Sequence, residues 1–190
     1  MAPRAKCLEL TVDGTNFGGK TPLVTVIARK LAERGSVECC NPFKVQSVDL
    51  YPLWAESPVE AAQRVADCMR RHREASQVDF FIWDRGWPTV HMVTRNAEAR
   101  ALVPPSTPTF FLLNTNATTA AKVQKYSLTP VTHPWMCGAR LPDETSYEQL
   151  AVEHADCIAR TFRPDAGGVF DLEAVAGAII TVTLQMRGLL

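Results

Sequence analysis

An unbroken glycine-rich motif near the start of the chain constrains its fold more than any other feature. Residues 14–21 read Gly-Thr-Asn-Phe-Gly-Gly-Lys-Thr and match the pattern G-x-x-x-x-G-K-[ST] without a gap. Apolar residues alternate with polar ones over residues 8–12, which predicts a strand before the motif. Apolar residues at helical spacing over residues 20–31 predict a helix after it, ended by Gly35. A strand, a glycine-rich loop and a helix in this order predict a phosphate-binding loop.

The residue types of the motif explain how such a loop holds phosphate. Glycines let the backbone curl so that successive N–H groups point at phosphate oxygens, and the helix N-terminus adds positive potential. Lys20 is expected to reach the outer phosphates, and the hydroxyl of Thr21 is expected to hold Mg²⁺. The predicted cradle of backbone amides is Gly14, Thr15, Asn16, Phe17, Gly18 and Gly19.

Charge and composition exclude several classes of partner. The chain has 20 basic and 20 acidic residues, so a nucleic acid polymer or an anionic membrane is not the expected partner. It lacks an apolar run long enough for a membrane span, and residues 1–6 lead into the first strand without a secretion signal, which predicts a cytoplasmic protein. The six cysteines are scattered without zinc-type spacing and are expected to be reduced packing thiols.

Predicted strands and helices alternate along the 190 residues, which indicates one α/β domain spanning residues 1–190. A parallel sheet with helices on both faces is the expected architecture. The irregular, proline-containing segment at about residues 127–143 is predicted to be a mobile lid. Besides the first strand and helix, we predict strands at 45–50, 78–83, 109–113 and within 163–170, and helices at 59–75, 118–126, 144–162 and 172–190.

Two charged residues directly follow a buried strand of this predicted sheet. Residues 78–83 form a nearly continuous apolar run, and Asp84 and Arg85 come immediately after it. In doubly wound α/β sheets, ligands bind outside the carboxyl ends of the strands, so both side chains are expected to face the site. An ion pair that caps the sheet is the structural alternative.

In combination, these features resemble the thymidylate kinase and deoxynucleoside kinase group of P-loop kinases. Asp13 before the first loop glycine and Asn16 inside the loop are similar to that family's pattern. Residues 84–89, Asp-Arg-Gly-Trp-Pro-Thr, resemble its Asp-Arg segment, and Arg140 with the following helix resembles its arginine-bearing lid. The resemblance implies a P-loop three-layer sandwich with a mainly parallel five-stranded sheet, ATP and Mg²⁺ as cofactors, and a homodimer.

The resemblance also implies roles for individual residues. Lys20 would bind the donor phosphates, Thr21 and Asp84 would hold Mg²⁺, and Arg85 and Arg140 would neutralise charge on the transferred phosphate. For an acceptor hydroxyl, Asp49 or Asp13 could act as the base, whereas a phosphate acceptor needs none. The remaining acceptor-site candidates are Trp54, Trp87 and His91, with Lys122 and Lys125 as weaker lid candidates.

Departures from the family pattern leave the acceptor open. Phe17 stands where the family usually has glycine, and Pro22 replaces a common second threonine. The segment before Asp84 is short and lacks the family's Arg-Glu-Pro-Gly-Gly sequence. We expect ATP-dependent phosphate transfer to a nucleoside monophosphate or nucleoside. The alternatives are transfer to the hydroxyl of a specialised nucleoside-like or natural-product metabolite, or a catalytically weak nucleotide-binding switch.

Overall fold

The computed structural model describes residues 7–44, 50–106, 108–125, 143–186 and 188–190. Strands and helices alternate through these residues, with two helices between the second and third strands and two between the third and fourth. In chain order the elements are β1 (Leu8–Gly14), α1 (Lys20–Leu31), β2 (Val37–Cys40), α2 (Leu50–Glu56), α3 (Pro58–Ala75), β3 (Phe80–Asp84), α4 (Trp87–Val93), α5 (Ala97–Leu102), β4 (Thr109–Leu112), α6 (Asn116–Lys125), α7 (Glu144–Glu153), β5 (Ile158–Phe162) and α8 (Leu172–Gln185).

The described strands form one sheet in the order β2-β3-β1-β4-β5, and every described pairing is parallel. This arrangement confirms the predicted α/β sandwich with a five-stranded sheet. β1 is central, and its register places Val12 opposite Asp84 and Gly14 opposite Leu112. The carboxyl ends of β1, β3 and β4 therefore meet at one edge of the sheet, where the phosphate loop begins.

Successive side chains of each strand point to opposite faces of the sheet, so each face has its own apolar core. Phe80 and Ile82 join the core that also contains apolar residues of α1 and α8. Phe81 and Trp83 point to the opposite face and pack with α3, α4 and α7. Because both faces are covered, β3 is buried along its whole length, as its continuous apolar sequence predicts.

The prediction of a second strand at residues 45–50 is wrong at Leu50, which begins α2; residues 45–49 lie outside the described residues. The strand beside β3 is β2, at Val37–Cys40. The pairing of β2 with β3 begins just before both strands, where Asp79 donates its backbone N–H to the Ser36 carbonyl at 3.1 Å. α1 ends at Leu31, earlier than the Gly35 stop suggested, and the N–H of Gly35 donates to the Leu31 carbonyl.

The prediction of a single long helix over residues 144–162 is also wrong. α7 ends at Glu153, a turn follows in which Cys157 donates its N–H to the His154 carbonyl, and the chain then forms β5. The prediction of an edge strand within residues 163–170 is wrong too, because the edge strand β5 ends at Phe162. Its residues are only partly buried, so its sequence carries no clear alternation to separate a strand from a helix. Of the predicted lid, only Asp143 lies within the described residues.

Candidate active site

The phosphate loop is fixed against the neighbouring strand β4. A Cβ atom at Gly14 would lie 2.0 Å from the Leu112 carbonyl oxygen, and the φ angle of Gly14 is +137°. The same carbonyl accepts the backbone N–H of Thr15 at 3.0 Å. The first motif glycine is therefore required both by close approach and by backbone conformation.

Phe17 adopts the conformation that glycine favours, although it carries a large side chain. Its φ angle is +59°, in the left-handed region. Lys122 on α6 donates to the Phe17 carbonyl at 3.0 Å and thereby ties the loop to that helix. The large residue at this loop position thus adopts a glycine-like backbone conformation, at a local conformational cost.

Lys20 is buried at the start of α1 with its ammonium turned back onto the loop. Its Nζ atom donates to the Gly14 carbonyl at 3.0 Å and to the Thr15 carbonyl at 2.6 Å. Burial, and after it the nearby positive charge of Arg85, lower the pKa of Lys20 to about 7. The negative charge of a phosphate bound in the loop would raise the pKa of Lys20 again and so favour its protonated form.

Thr21 and Asp84 form a pair of oxygen ligands across the sheet edge. Thr21 Oγ1 donates to Asp84 Oδ2 at 2.6 Å, and Asp84 is almost completely buried. Asp84 Oδ1 is also buried and accepts no hydrogen bond among the described residues. A buried carboxylate oxygen without a donor, beside a hydroxyl, fits the oxygen preference of Mg²⁺. The residues present therefore suit the metal that the motif implies.

Asp13 is a fully buried hydrogen-bond acceptor that joins three elements. Its carboxylate accepts the backbone N–H groups of Gly14, Gly86 and Thr89, at 2.7, 3.2 and 3.0 Å. It also accepts the Thr89 hydroxyl at 2.8 Å and the Tyr147 hydroxyl at 3.0 Å. With so many protein donors and no exposure to solvent, Asp13 is arranged to position the loop, which argues against its predicted use as an acceptor base.

Arg85 connects the end of β3 to the phosphate loop. Its φ angle is +76°, and its N–H donates to the Val12 carbonyl at 2.9 Å. Its guanidinium donates to Asn16 Oδ1 at 2.9 Å and to Thr89 Oγ1 at 3.3 Å. The side chain is thereby held beside the loop, with its guanidinium 4.0 Å from the Asp13 carboxylate.

Asn114 is a buried loop contact that the sequence predictions did not include. Its backbone N–H donates to Thr15 Oγ1 at 2.7 Å, and its side-chain Nδ2 donates to the Asn16 carbonyl at 3.2 Å. The signal was available, because Asn114 follows a buried strand just as Asp84 does, at the same edge of the sheet.

A cavity of about 600 Å³ opens in front of the loop. Cations line it from three directions: Lys20 and Arg85 from the loop region, Lys122 from α6 and Lys44 from the segment after β2. Phe43 and Asn41 complete the wall beside Lys44. A second cavity, of about 470 Å³, shares Phe17, Gly19 and Lys122 with the first and is otherwise lined mainly by small and apolar residues, with Lys125 at its edge.

The three predicted acceptor-site rings are all buried. Trp87 has no exposed surface and donates its indole N–H to Thr109 Oγ1 at 2.9 Å. Trp54 packs against Phe43, with ring centroids 6.4 Å apart, and so supports the cavity wall from behind. His91 lines a different cavity, and burial lowers its pKa to about 4. Packing accounts for Trp87, and none of the three rings lines the cavity at the loop.

Asp49 and Arg140 lie outside the described residues, so the predicted base and the predicted lid arginine have no structural account. Within the described part of the chain, no helix combines the length and apolar character needed to cross a membrane.

Comparison with known proteins places this geometry in a known fold. No family model matches the chain, and no curated protein matches it significantly. A thymidylate kinase from Ehrlichia chaffeensis superposes with a TM-score of 0.58 at 14% identity, over 95% of this chain and 99% of that chain. A deoxyadenosine kinase from M. mycoides, in a structure with products bound, gives a TM-score of 0.57 at 14% identity, over 91% of this chain and 97% of that one.

The chain has the fold of these nucleoside and nucleotide kinases. A further structure of the M. mycoides kinase, with dATP bound, gives a TM-score of 0.56 at 13% identity, over 91% of this chain and 97% of the other. Identity this low shows a shared fold, and the chemistry has to be derived from this chain's own residues.

Proposed function

We propose that this protein transfers the γ-phosphate of ATP to a nucleoside monophosphate or a nucleoside, with Mg²⁺ as cofactor. The observation that carries the proposal is the convergence of Lys20, Thr21 and Arg85 on one cavity, with Asp84 directly behind Thr21. Phosphoryl transfer needs positioning and neutralisation of charge more than covalent chemistry, and these residues supply both.

The donor triphosphate is assigned to the phosphate loop. Backbone N–H groups of residues 14–19 and the Lys20 ammonium would bind its outer phosphates. The second cavity, beyond Phe17, is assigned to the donor nucleoside, because Val169, Phe170 and two glycines give it an apolar lining suited to a planar base. The two cavities adjoin at Phe17 and Lys122, as a single extended nucleotide requires.

Thr21 and Asp84 would hold Mg²⁺, which when bound neutralises charge on the phosphates. Arg85 is oriented by Asn16 and Thr89 and would stabilise negative charge on the phosphate during transfer. Arg140 remains the predicted lid arginine, with the same role from the opposite side.

The cavity wall supports a phosphorylated acceptor as the first choice. Lys44 projects into the cavity beside Phe43, so this wall offers a cation for a phosphate and a ring for a base. A phosphate acceptor requires no base, which agrees with the full engagement of Asp13 by protein donors. A free nucleoside is the second acceptor class, and Asp49 stays its predicted base.

Substitution of Lys44 tests the acceptor class. Lys44→Ala should raise the KM for nucleoside monophosphates about tenfold while leaving rates with nucleosides unchanged, because only the former lose an ion contact. Arg34→Ala removes an exposed cation outside the cavity lining and serves as the matched control. An equal effect on both acceptor classes would place Lys44 at the donor instead.

The same acceptor panel separates the alternatives. Turnover only on nucleoside-like or natural-product hydroxyls would favour the specialised kinase, and ATP binding without turnover would favour the nucleotide-binding switch. A cytoplasmic location and a homodimer remain predictions from the sequence.

A further inference from the structure

Two cysteines and a histidine that are separated in the sequence come together behind the cavity wall. Cys40 is the last residue of β2, and Cys68 and His72 are one turn apart on α3. The two thiol sulfurs and a ring nitrogen of His72 all lie within 4.8 Å of one another. The spacing of the cysteines in the sequence predicted only packing thiols. The cluster was not visible there because its residues come from a strand and a helix that are separated in the sequence.

A carboxylate orients the histidine. Glu38 Oε1 lies 3.1 Å from His72 Nδ1, and the ring packs beside Phe81 and Trp83 with centroid distances of 6.0 and 6.2 Å. Metal-binding histidines commonly contact a carboxylate through the nitrogen that does not bind the metal. Engagement of Nδ1 by Glu38 leaves Nε2 as the candidate ligand atom.

The two thiols are shielded from water. Cys40 is 6% exposed and Cys68 is 1% exposed, whereas the neighbouring Cys39 is exposed. Apolar packing explains buried thiols but gives no reason for a carboxylate-oriented imidazole beside them.

We propose that Cys40, Cys68 and His72 form a site for a thiophilic cation, best matched by Zn²⁺. Two thiolates and an imidazole are a preferred set for Zn²⁺, whose bonds of about 2.3 Å to sulfur and 2.0 Å to nitrogen would need only a modest contraction of the cluster. The bound cation would link β2 to α3 and thereby brace Asn41, Phe43 and Lys44 at the acceptor side of the cavity.

Cobalt spectroscopy on the full chain tests this proposal. The reduced, metal-stripped protein is titrated with Co²⁺, which gives a thiolate charge-transfer absorption only when bound by cysteine. We expect saturation at one equivalent, displacement by Zn²⁺, and release of protons as the thiols ionise. The oxygen ligands Thr21 and Asp84 produce no thiolate absorption, so the titration reports on the cysteine cluster alone. Lys20→Ala changes only the phosphate loop and should therefore bind Co²⁺ like wild type, even if the proposed kinase activity is absent.

Variants assign the ligands. Cys68→Ser and Cys68→Ala should both abolish the absorption. The alanine variant keeps a small uncharged side chain at this position in case serine perturbs folding. Circular dichroism verifies that both variants are folded. Cys39→Ser changes the adjacent exposed thiol and should leave the titration unaltered. Glu38→Gln should retain the absorption but weaken Zn²⁺ affinity about 10- to 100-fold. An absent absorption in wild type, or one that survives in Cys68→Ala, would overturn the proposal.

Discussion

Thr21 Oγ1 donates a 2.6 Å hydrogen bond to Asp84 Oδ2, although the two residues are 63 positions apart. The contact forms because Thr21 lies in the first turn of α1, the helix that follows β1, whereas Asp84 ends β3, the strand that pairs with β1. The parallel sheet thus delivers a hydroxyl and a carboxylate to one point beside the phosphate loop. A cation bound here would replace the hydrogen bond from Thr21 to Asp84 and would be coordinated by the Thr21 hydroxyl and the Asp84 carboxylate.

Asp84→Asn should lower turnover about 100-fold and raise the Mg²⁺ concentration needed for half-maximal rate, because the neutral amide is a poor ligand for a hard cation. Steady-state rates over a Mg²⁺ titration measure both effects. Asp67→Asn, at a partly buried carboxylate paired with Arg70 on α3, is the control and should match wild type. A variant with an unaltered Mg²⁺ requirement would remove Asp84 from the metal site.

ATP binding should be linked to protonation of Lys20. Burial and Arg85 lower its pKa to about 7 in the free protein, so above that pH the ammonium is largely neutral before the ligand arrives. Phosphates favour the charged form, so binding at about pH 8.5 should take up close to one proton, and ATP affinity should fall as pH rises above 7. Calorimetry in buffers of different ionisation enthalpy measures the uptake. Lys20→Met should eliminate it; equal uptake in that variant would contradict the assignment.

Asn114→Ala should lower the free energy of unfolding by about 1–3 kcal/mol and weaken ATP binding, because the buried Asn16 carbonyl loses a donor. Urea unfolding and ATP titration measure the two effects. Asn116→Ala, which removes a contact to the Glu144 N–H at an exposed position, should cost less than about 1 kcal/mol. Equal costs for the two alanine variants would show that Asn114 does not specifically support the loop.

Tyr147→Phe should lower the free energy of unfolding by about 1.5–3 kcal/mol, because it deletes a buried donor to the Asp13 carboxylate. Asp13→Asn should cost more, since its amide N–H₂ would replace one carboxylate oxygen and face the donors that this oxygen accepts, which are Gly86 and Thr89 at Oδ2 or Gly14 and Tyr147 at Oδ1. Denaturant titrations of both variants and wild type measure these differences. A phenylalanine variant as stable as wild type would mean that the hydroxyl contributes nothing to loop positioning.

Local sequence predicts the parts of this site that lie on one continuous segment. The phosphate motif identifies Lys20 and Thr21, and the apolar run before Asp84 predicts which edge of the sheet it faces. The short strand β2 is less predictable, because only four residues form it and only Cys40 is buried. β5 is half-exposed at the sheet edge, so its apolar residues also fit a helical period.

Contacts between distant segments were beyond the reach of sequence spacing. Tyr147 and Asp13 meet because α7 packs over the carboxyl ends of the strands, a relationship that no local pattern encodes. The cluster of Cys40, Cys68 and His72 arises in the same way, from the packing of α3 beside β2. In each case the residue types were visible in the sequence, whereas their proximity depends on the tertiary fold.

The most direct test of the proposed function is transfer of label from ATP carrying a radioactive γ-phosphate, with Mg²⁺ and a panel of nucleoside monophosphates and nucleosides. We expect labelled product from the wild-type protein with at least one acceptor, and no product above background from Lys20→Ala, with circular dichroism verifying that the variant is folded. ATP binding without labelling of any acceptor, or a Lys20→Ala rate equal to wild type, would contradict the proposed phosphate transfer.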